Sequence, residues 1–223
     1  MQRLLDGLHR FHKSIFSSQR ELFERLAGGQ TPDALFITCS DSRINPNLIT
    51  QTGPGELFIL RNAGNIVPPY TDSPGGEAAT IEFAVAALGV RDVILCGHSH
   101  CGAMKGLLEP ELVADTPAVR HWLGHAESTR QLLMENYRDL HGPELLSACI
   151  QENVLAQLEN LKTHPCIAAR LERGQVNLHG WVYQIETGQV FAYEPELGQF
   201  RAFSEVAGNA ASTSVLRTPS VSI

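Results

Sequence analysis

Two stretches decide how this chain folds: Ala34-Leu-Phe-Ile-Thr-Cys-Ser-Asp-Ser-Arg43 and Asp92-Val-Ile-Leu-Cys-Gly-His-Ser-His-Cys101. Each contains an apolar run without polar alternation, over residues 34–38 and 93–96. Such runs are typical of strands that are buried on both faces of a parallel sheet. The first run leads directly into Cys39 and the second into His98. Both residues are therefore expected at the carboxyl ends of buried strands, where α/β proteins usually bind their ligands.

The remaining elements alternate in type along the chain. A further apolar run covers residues 57–60, and helical periodicity is seen over 77–88, 122–137 and 145–161. Near the end, residues 176–185 and 190–193 predict a hairpin at a sheet edge, joined at Glu186-Thr187-Gly188. Strands that alternate with helices predict an α/β fold, with a mainly parallel sheet flanked by helices.

The first 28 residues predict a helical arm. Apolar residues recur there at helical spacing and form one stripe, made of Leu4, Leu5, Leu8, Phe11, Ile15 and Phe16. Such a stripe needs a covering surface, for example a second subunit. Residues 1–204 are expected to form a single domain. Residues 205–223 are expected to be a loosely ordered tail, because they are rich in Ala, Ser, Thr and Asn and offer little to bury.

Composition narrows the class of protein. The 223 residues carry 17 Lys and Arg against 24 Asp and Glu, so the net charge is -7. This balance argues against binding to nucleic acid or to anionic membranes. Charges at Arg3, Asp6, Arg10 and Lys13 interrupt the N-terminal segment, which predicts neither a signal peptide nor a membrane anchor and favours a cytoplasmic location. Five cysteines, an odd number, favour free or metal-bound thiols over a disulfide framework.

Three residues at the predicted strand ends have the chemistry of metal ligands. Cys39, His98 and Cys101 would provide two thiolates and one imidazole, a set that leaves the fourth position of a catalytic zinc site for water. Spacing alone leaves His100 open as an alternative to His98. The other three cysteines are interpreted as ordinary core or surface thiols: Cys96, Cys149 and Cys166.

A charged pair follows the first presumed ligand. The planar guanidinium of Arg43 can hold the Asp41 carboxylate with two hydrogen bonds, which would keep Asp41 ionised and oriented toward a metal-bound water. The alternative is an exposed ion pair of little consequence, since such pairs contribute roughly 0–1 kcal/mol.

These two segments, Cys39-Ser-Asp-Ser-Arg43 and His98-Ser-His-Cys101-Gly-Ala, resemble the paired signatures of β-class carbonic anhydrases. The resemblance runs over roughly residues 1–200, in family order, and is closest to the plant-like branch, including bacterial cyanate-associated and cyanobacterial carboxysomal enzymes. Four more segments carry it: Pro54-Gly-Glu-Leu-Phe58, Arg61-Asn-Ala-Gly-Asn65, Glu152-Asn-Val154 and His179-Gly-Trp-Val-Tyr183.

The resemblance implies a complete functional assignment. It implies one Zn²⁺ per chain held by Cys39, His98 and Cys101, and reversible hydration of CO2 to bicarbonate and a proton by zinc-hydroxide attack. It also implies that Asp41 and Arg43 form a catalytic dyad. The substrate pocket that it implies is formed by Gln30, Phe58, Phe83 and Gly102.

Further family features concern assembly and regulation. The fold implied is a four-stranded parallel sheet with an added edge strand, in homodimers that pair into tetramers. Phe58 and Phe83 would enter the pocket of the partner subunit, and Phe83 replaces the more usual tyrosine. Phe36 stands where the family's other branch has a tryptophan that marks an allosteric bicarbonate site, so no such switch is expected here.

Two other functions stay open from sequence. One is a zinc-thiolate pseudoenzyme whose fourth position is closed, with His100 or Asp41 as the extra ligand. The other is a recruitment protein that binds carboxysome proteins. A nucleotide-binding protein is disfavoured, because the sequence contains neither G-x-G-x-x-G nor G-x-x-x-x-G-K-[ST].

Overall fold

The computed structural model describes residues 1–71, 74–203 and 215–216. The strands are β1 (Ala34–Cys39), β2 (Leu57–Asn62), β3 (Asp92–His98), β4 (Asn177–Tyr183), β5 (Val190–Glu194), β6 (Gln199–Ala202) and β7 (Val215–Leu216). The α-helices are α1 (Gln2–Arg10), α2 (Arg20–Ala27), α3 (Pro46–Thr50), α4 (Gly76–Glu82), α5 (Gly102–Leu108), α6 (Pro117–Leu123), α7 (Glu127–Asn136), α8 (Gly142–Lys162) and α9 (Pro165–Leu171). Short π-helical segments cover Phe11–Phe16 and Phe83–Ala87, and 3₁₀ turns cover Pro110–Val113 and Gly124–Ala126.

The strands form one sheet in the order β2-β1-β3-β4-β5-β6-β7. The first four strands in this order run parallel to their neighbours, and the last three are added antiparallel. The predicted α/β class with a mainly parallel sheet flanked by helices is confirmed. The added part is larger than the single edge strand that the family resemblance implied.

The predicted hairpin is present, but its predicted position at the sheet edge is wrong. β4 and β5 pair antiparallel, with Val182 opposite Phe191, and β6 and β7 then extend the sheet beyond β5. β6 is only four residues long, and it is fixed by Phe200 and Ala202, which are both buried in the core. Four residues are too few to show a clear alternation of buried and exposed positions. β6 is therefore recognised as a strand only from its packing.

The register places the ends of β1 and β3 side by side. Thr38 lies opposite Cys96, and on the far side of β3, His98 lies opposite Tyr183. Thr38 also donates a hydrogen bond from its Oγ1 to the Cys96 carbonyl at 2.8 Å. Cys39 and His98 therefore emerge at the same carboxyl edge of the sheet.

The long helix α8 packs directly onto β3 and β4, because a glycine stands at each contact. A Cβ atom at Gly97 would lie 3.0 Å from a methyl group of Val154, and one at Gly180 would lie 2.9 Å from a methyl group of Leu158. Both glycines therefore permit a close approach that alanine would obstruct. The opposite face of the sheet has a smaller core around Phe36, whose ring meets Trp181 edge-on.

The N-terminal arm is helical, as predicted. None of the residues of α1, α2 or the π segment between them is buried. The predicted apolar stripe is largely exposed in the single chain; Leu8, for example, is 63% exposed.

The expected tail, residues 205–223, lies outside the described residues apart from Val215–Leu216, which pair with β6. The assignment of residues 1–204 to a single domain stays a prediction. Within the described ranges, no helix combines the length and the apolar character needed to cross a membrane.

Candidate metal centre

Three elements bring Cys39, His98 and Cys101 together. Cys39 is the last residue of β1, His98 is the last residue of β3, and Cys101 precedes the first turn of α5. One donor atom from each of the three lies within 4.8 Å of the other two. All three residues are buried. This is the arrangement that was expected from the strand ends.

The imidazole of His98 is oriented by the residue that follows it. Its Nδ1 lies 2.9 Å from the carbonyl oxygen of Ser99. A carbonyl can only accept, so Nδ1 carries the proton and Nε2 has the free lone pair. Nε2 is buried and has no hydrogen-bond partner in the described part of the chain. A buried polar atom without a partner is costly, and a metal ion between Nε2 and the two sulfur atoms would satisfy it.

The two thiols form a polarised pair. The Cys101 thiol, hydrogen-bonded to the sulfur of Cys39, lowers the pKa of Cys39 well below its usual range. The backbone N–H of Gly64, 3.3 Å from the sulfur, acts in the same direction. The same bond raises the pKa of Cys101, because the pair holds one proton between its sulfur atoms. A cation between the two sulfur atoms would favour the thiolate form of both residues.

Asp41 and Arg43 form the two-pronged contact that their spacing predicted. Arg43 donates from Nε to Oδ1 of Asp41 at 2.9 Å and from Nη2 to Oδ2 at 2.7 Å. These bonds hold the pKa of Asp41 well below its usual range. Oδ2 of Asp41 lies 3.9 Å from Nε2 of His98, so the ionised carboxylate borders the presumed metal position.

The loop after β1 is held in place by a second arginine, Arg61. Its guanidinium donates to the carbonyl oxygens of Cys39, Asp41 and Ile44, at 3.0, 2.7 and 3.0 Å. No sequence pattern assigns Arg61 a role, although it belongs to a segment that carries the family resemblance. Only the pairing of β1 with β2 shows that it spans the loop.

A buried polar network on α8 holds the loop that supplies the Gly64 N–H. Asn153 donates to the Gly64 carbonyl at 3.0 Å, and Gln157 accepts from the N–H of Val67 at 2.9 Å. Gln157 also donates to the side chain of Asn153, so the two amides form one unit. About 90 residues separate the loop from these side chains, so no local pattern could have identified the contact.

His100, the alternative ligand, lies elsewhere. Its backbone is in the left-handed region, with φ of 57°. Its Nε2 lies 3.4 Å from Oε1 of Glu186, and the side chain is 58% exposed. The structure therefore groups His98, and not His100, with the two cysteines.

The expected substrate-pocket residues divide into two groups. Gly102 starts α5 beside Cys101, and a Cβ atom there would meet nothing within 4 Å. Phe58 lies opposite Leu35, four residues before Cys39, so its backbone is roughly 13 Å from that end of the sheet at about 3.3 Å per residue. The Phe83 ring packs against Phe58, with centroids 5.9 Å apart. Gln30 precedes β1. Within one chain, the strand register and the ring contact thus place Phe58 and Phe83 away from the metal centre.

Comparison with known proteins identifies the family. The family model described as carbonic anhydrase matches residues 34–190. A carbonic anhydrase from Synechocystis sp. is 54% identical over 91% of this chain and 74% of its own length, and one from Pseudomonas aeruginosa is 48% identical over 92% and 93%.

Solved structures show the same relationship. The β-carbonic anhydrase CcaA has a TM-score of 0.88 at 53% identity, covering 91% of each chain. One of the tetrameric β-carbonic anhydrases from Sordaria macrospora has a TM-score of 0.75 at 30% identity, covering 86% of this chain and 95% of its own. With its sheet, its Cys-His-Cys group and these relatives, the chain belongs to the carbonic anhydrase family and, within it, to the β class.

Proposed function

We propose that this chain binds one Zn²⁺ through Cys39, His98 and Cys101 and hydrates CO2 reversibly to bicarbonate and a proton. The observation that carries the proposal is the unpartnered Nε2 of His98, buried and grouped with two sulfur atoms. Two thiolates and one imidazole suit zinc in charge and softness, and three protein ligands are the number typical of catalytic zinc sites. Zinc in such a site acts as a Lewis acid that turns water into a nucleophile near neutral pH.

Asp41 would orient the attacking water. Its Oδ2 accepts one hydrogen bond from Arg43 and keeps a second lone pair, since a carboxylate oxygen can accept two hydrogen bonds. This lone pair can accept a proton or a hydrogen bond from a water near Nε2 of His98. Because Arg43 keeps Asp41 ionised, the acceptor is ready throughout the neutral pH range.

The geometry favours an open site over the closed site of a pseudoenzyme. As a fourth ligand, Asp41 would have to shift a carboxylate that Arg43 holds with two side-chain hydrogen bonds and one from its backbone N–H. His100 would have to leave Glu186 and turn its ring toward the cysteines. No other His, Cys, Asp or Glu of the described ranges joins the group of three.

The experiment is stopped-flow CO2 hydration with zinc content measured on the same protein. We expect fast turnover by the parent, loss of zinc and turnover in Cys101→Ala, and weakened turnover with zinc retained in Asp41→Asn. Cys166→Ala serves as the matched control, because Cys166 is a half-buried thiol outside the group. A parent with one zinc per chain and no turnover between pH 7 and 9 would contradict the proposal and favour a closed site.

We also propose a homodimer in which the partner subunit supplies Gln30, Phe58 and Phe83 to each site. The proposal is supported by the position of Phe58 and Phe83 far from their own Cys39, and by the exposed apolar stripe of the arm. Mixing two inactive or weakened variants, Phe83→Ala and Asp41→Asn, tests it. Mixed dimers would contain one site with both residues intact, so activity should exceed the sum of the separate variants. Additive activity despite shown subunit exchange would contradict it.

A further inference from the structure

The turn between His98 and Cys101 provides two backbone carbonyl oxygens to the site. The carbonyl of Ser99 accepts from Nδ1 of His98 at 2.9 Å, which sets the tautomer and the direction of the ring. The carbonyl of His100 accepts from Nη2 of Arg43 at 3.0 Å, the same nitrogen that holds Oδ2 of Asp41. A displacement of this turn would therefore disturb both the ligand and the dyad.

The turn is strained, and it needs support from outside. His100 has φ of 57°, in the left-handed region that residues other than glycine seldom occupy. Such conformations persist when surrounding contacts determine them, and they cluster at functional sites. The contacts that hold this turn are therefore of functional interest.

The carboxylate of Glu186 provides this support. Its Oε2 accepts from the Ser99 hydroxyl at 2.7 Å, and its Oε1 lies 3.4 Å from Nε2 of His100. The Ser99 hydroxyl in turn accepts from the backbone N–H of Ile185 at 3.0 Å. One carboxylate thus contacts the side chains of both residues whose carbonyl oxygens serve the site.

Glu186 is itself fixed by the turn between β4 and β5. The N–H of Gln184 donates to the Gln189 carbonyl at 2.8 Å, and the N–H of Gly188 donates to the Gln184 carbonyl at 2.9 Å. The Thr187 hydroxyl also donates to the Gln184 side chain at 3.1 Å. The hairpin is therefore a firm support from which Glu186 reaches the Ser99–His100 turn.

From this geometry we infer that Glu186 is a positioning residue for the metal centre, acting through the Ser99–His100 turn on the His98 ring and on the Arg43 guanidinium. It touches neither the three presumed ligands nor the reacting atoms. The inference rests on the proposed zinc site. Because the Glu186 side chain is 48% exposed, its replacement leaves the hydrophobic core intact.

The test compares Glu186→Ala, Glu186→Gln and a control, Glu109→Gln. Glu109 is a suitable control because it lines the same cleft as Glu186, is 47% exposed and pairs only weakly, with Lys105 at 4.0 Å. Two properties are measured: the rate of zinc transfer to a chelator, and the visible absorption spectrum of the Co²⁺-substituted protein, which reports ligand geometry. Thermal melting of each variant is recorded in parallel.

We expect Glu186→Ala to release zinc about tenfold faster, the lower end of what outer contacts of metal ligands contribute, and to alter the Co²⁺ spectrum. Glu186→Gln should restore both properties largely, because its amide oxygen can still accept from Ser99. Glu109→Gln should match the parent.

Three outcomes would overturn the inference. The first is a Glu186→Ala variant with the zinc release and Co²⁺ spectrum of the parent. The second is a Glu186→Gln variant as impaired as Glu186→Ala. The third is a faster zinc release in Glu186→Ala that Glu109→Gln shows as well, with an equal loss of melting temperature in both variants. In each case the parent still binds zinc, whereas a parent that binds none would refute the proposed function itself.

Discussion

The hydrogen bond from His98 to Ser99 determines what the site can bind. With Nδ1 occupied, the imidazole presents only the lone pair of Nε2 to the two cysteines. A neutral imidazole ligand beside two thiolates would leave a divalent cation with no net charge. A neutral metal centre would attract the ionised carboxylate of Asp41 only weakly. Asp41 would therefore keep its contact with Arg43.

Two cysteines outside the metal centre, Cys149 and Cys166, should differ in their rate of alkylation. Burial raises the pKa of Cys149 to about 12, whereas Cys166 is only half-buried and has a smaller upward shift. We expect iodoacetamide at pH 8 to modify Cys166 well before Cys149 in the native, zinc-loaded protein, because the thiolate is the reacting form. Mass spectrometry of peptides after timed quenching measures this order. Equal rates for the two thiols would contradict it, and urea-unfolded protein provides the control in which both react.

The buried His164 should make stability depend on pH. Burial lowers its pKa, while its Nε2 donates to the Pro68 carbonyl at 3.1 Å. The unfolded chain then binds more protons than the folded one below about pH 6.5, so stability falls as the pH drops through that region. We expect His164→Gln to show a smaller loss of unfolding free energy between pH 7.5 and 5.5 than the parent, measured by urea titration.

The matched control for His164 is His9→Gln, a change of the same type on the exposed face of α1. It should follow the pH dependence of the parent. A His164→Gln variant with the parent's pH dependence would show that protonation of this ring does not affect folding.

The sequence predicted the chemistry of the site better than its contacts. Cys39 and His98 directly follow buried apolar runs, so their convergence at one sheet edge could be expected from strand geometry alone. The choice between His98 and His100 could not, because it depends on the backbone conformation of a four-residue turn. The roles of Arg61 and Asn153 depend on contacts between distant segments, so they too appear only in the fold.

At the level of elements, α8 lies close to the sheet because the sheet has a glycine at each of two contact points. Gly97 and Gly180 let Val154 and Leu158 touch the sheet, and the same helix carries Asn153 toward the metal centre. The distance between helix and sheet is thus linked to the loop that contacts Cys39.

We expect Gly180→Ala to destabilise the protein by about 1–3 kcal/mol, because an added methyl group would overpack the contact with Leu158. The free energy of unfolding in urea measures this loss. Gly124→Ala is the control, since a Cβ there meets nothing within 4 Å and its φ is -56°; it should be neutral or slightly stabilising. An unchanged Gly180→Ala would mean that α8 can move away from the sheet at little cost.

Element boundaries were harder to predict than element types. The periodicity over residues 122–137 predicted one helix, but the structure divides it into α6, a 3₁₀ turn at Gly124–Ala126 and α7. Gly124 weakens the helix locally, because glycine has a low helix propensity. The helical spacing of apolar residues continues on both sides of it, so the interruption is not visible in the periodicity. β6 was missed because four residues are too few for alternation to be distinctive.

At the scale of the whole molecule, the N-terminal arm is the surface that a single chain leaves unsatisfied. Its stripe includes Leu4, Leu8 and Phe11, all at least 43% exposed. Contiguous apolar surface of this kind marks a protein–protein interface in soluble proteins. The sequence alone predicted the stripe, whereas what covers it depends on a second chain.

Leu8→Glu should weaken the proposed homo-oligomer, because it places a charge within the stripe. We expect a lower mass in light scattering at equal concentration, accompanied by reduced turnover per zinc if the partner completes the pocket. Arg10→Gln is the control; it makes the same change in net charge on the opposite face of α1. An unchanged mass for Leu8→Glu would exclude the arm from the interface.

The wide separation of Cys39 and Cys101 along the chain has a consequence for protein synthesis. Neither β1 nor the turn after β3 holds the complete set of donors, so a nascent chain on the ribosome has no finished site until both strands have emerged and paired. The Ser99–Glu186 contact requires the hairpin at residues 184–189, made later still. Metal uptake would therefore report that β1 and β3 have been translated and paired, and the contact with Glu186 would be added after the three donors are together.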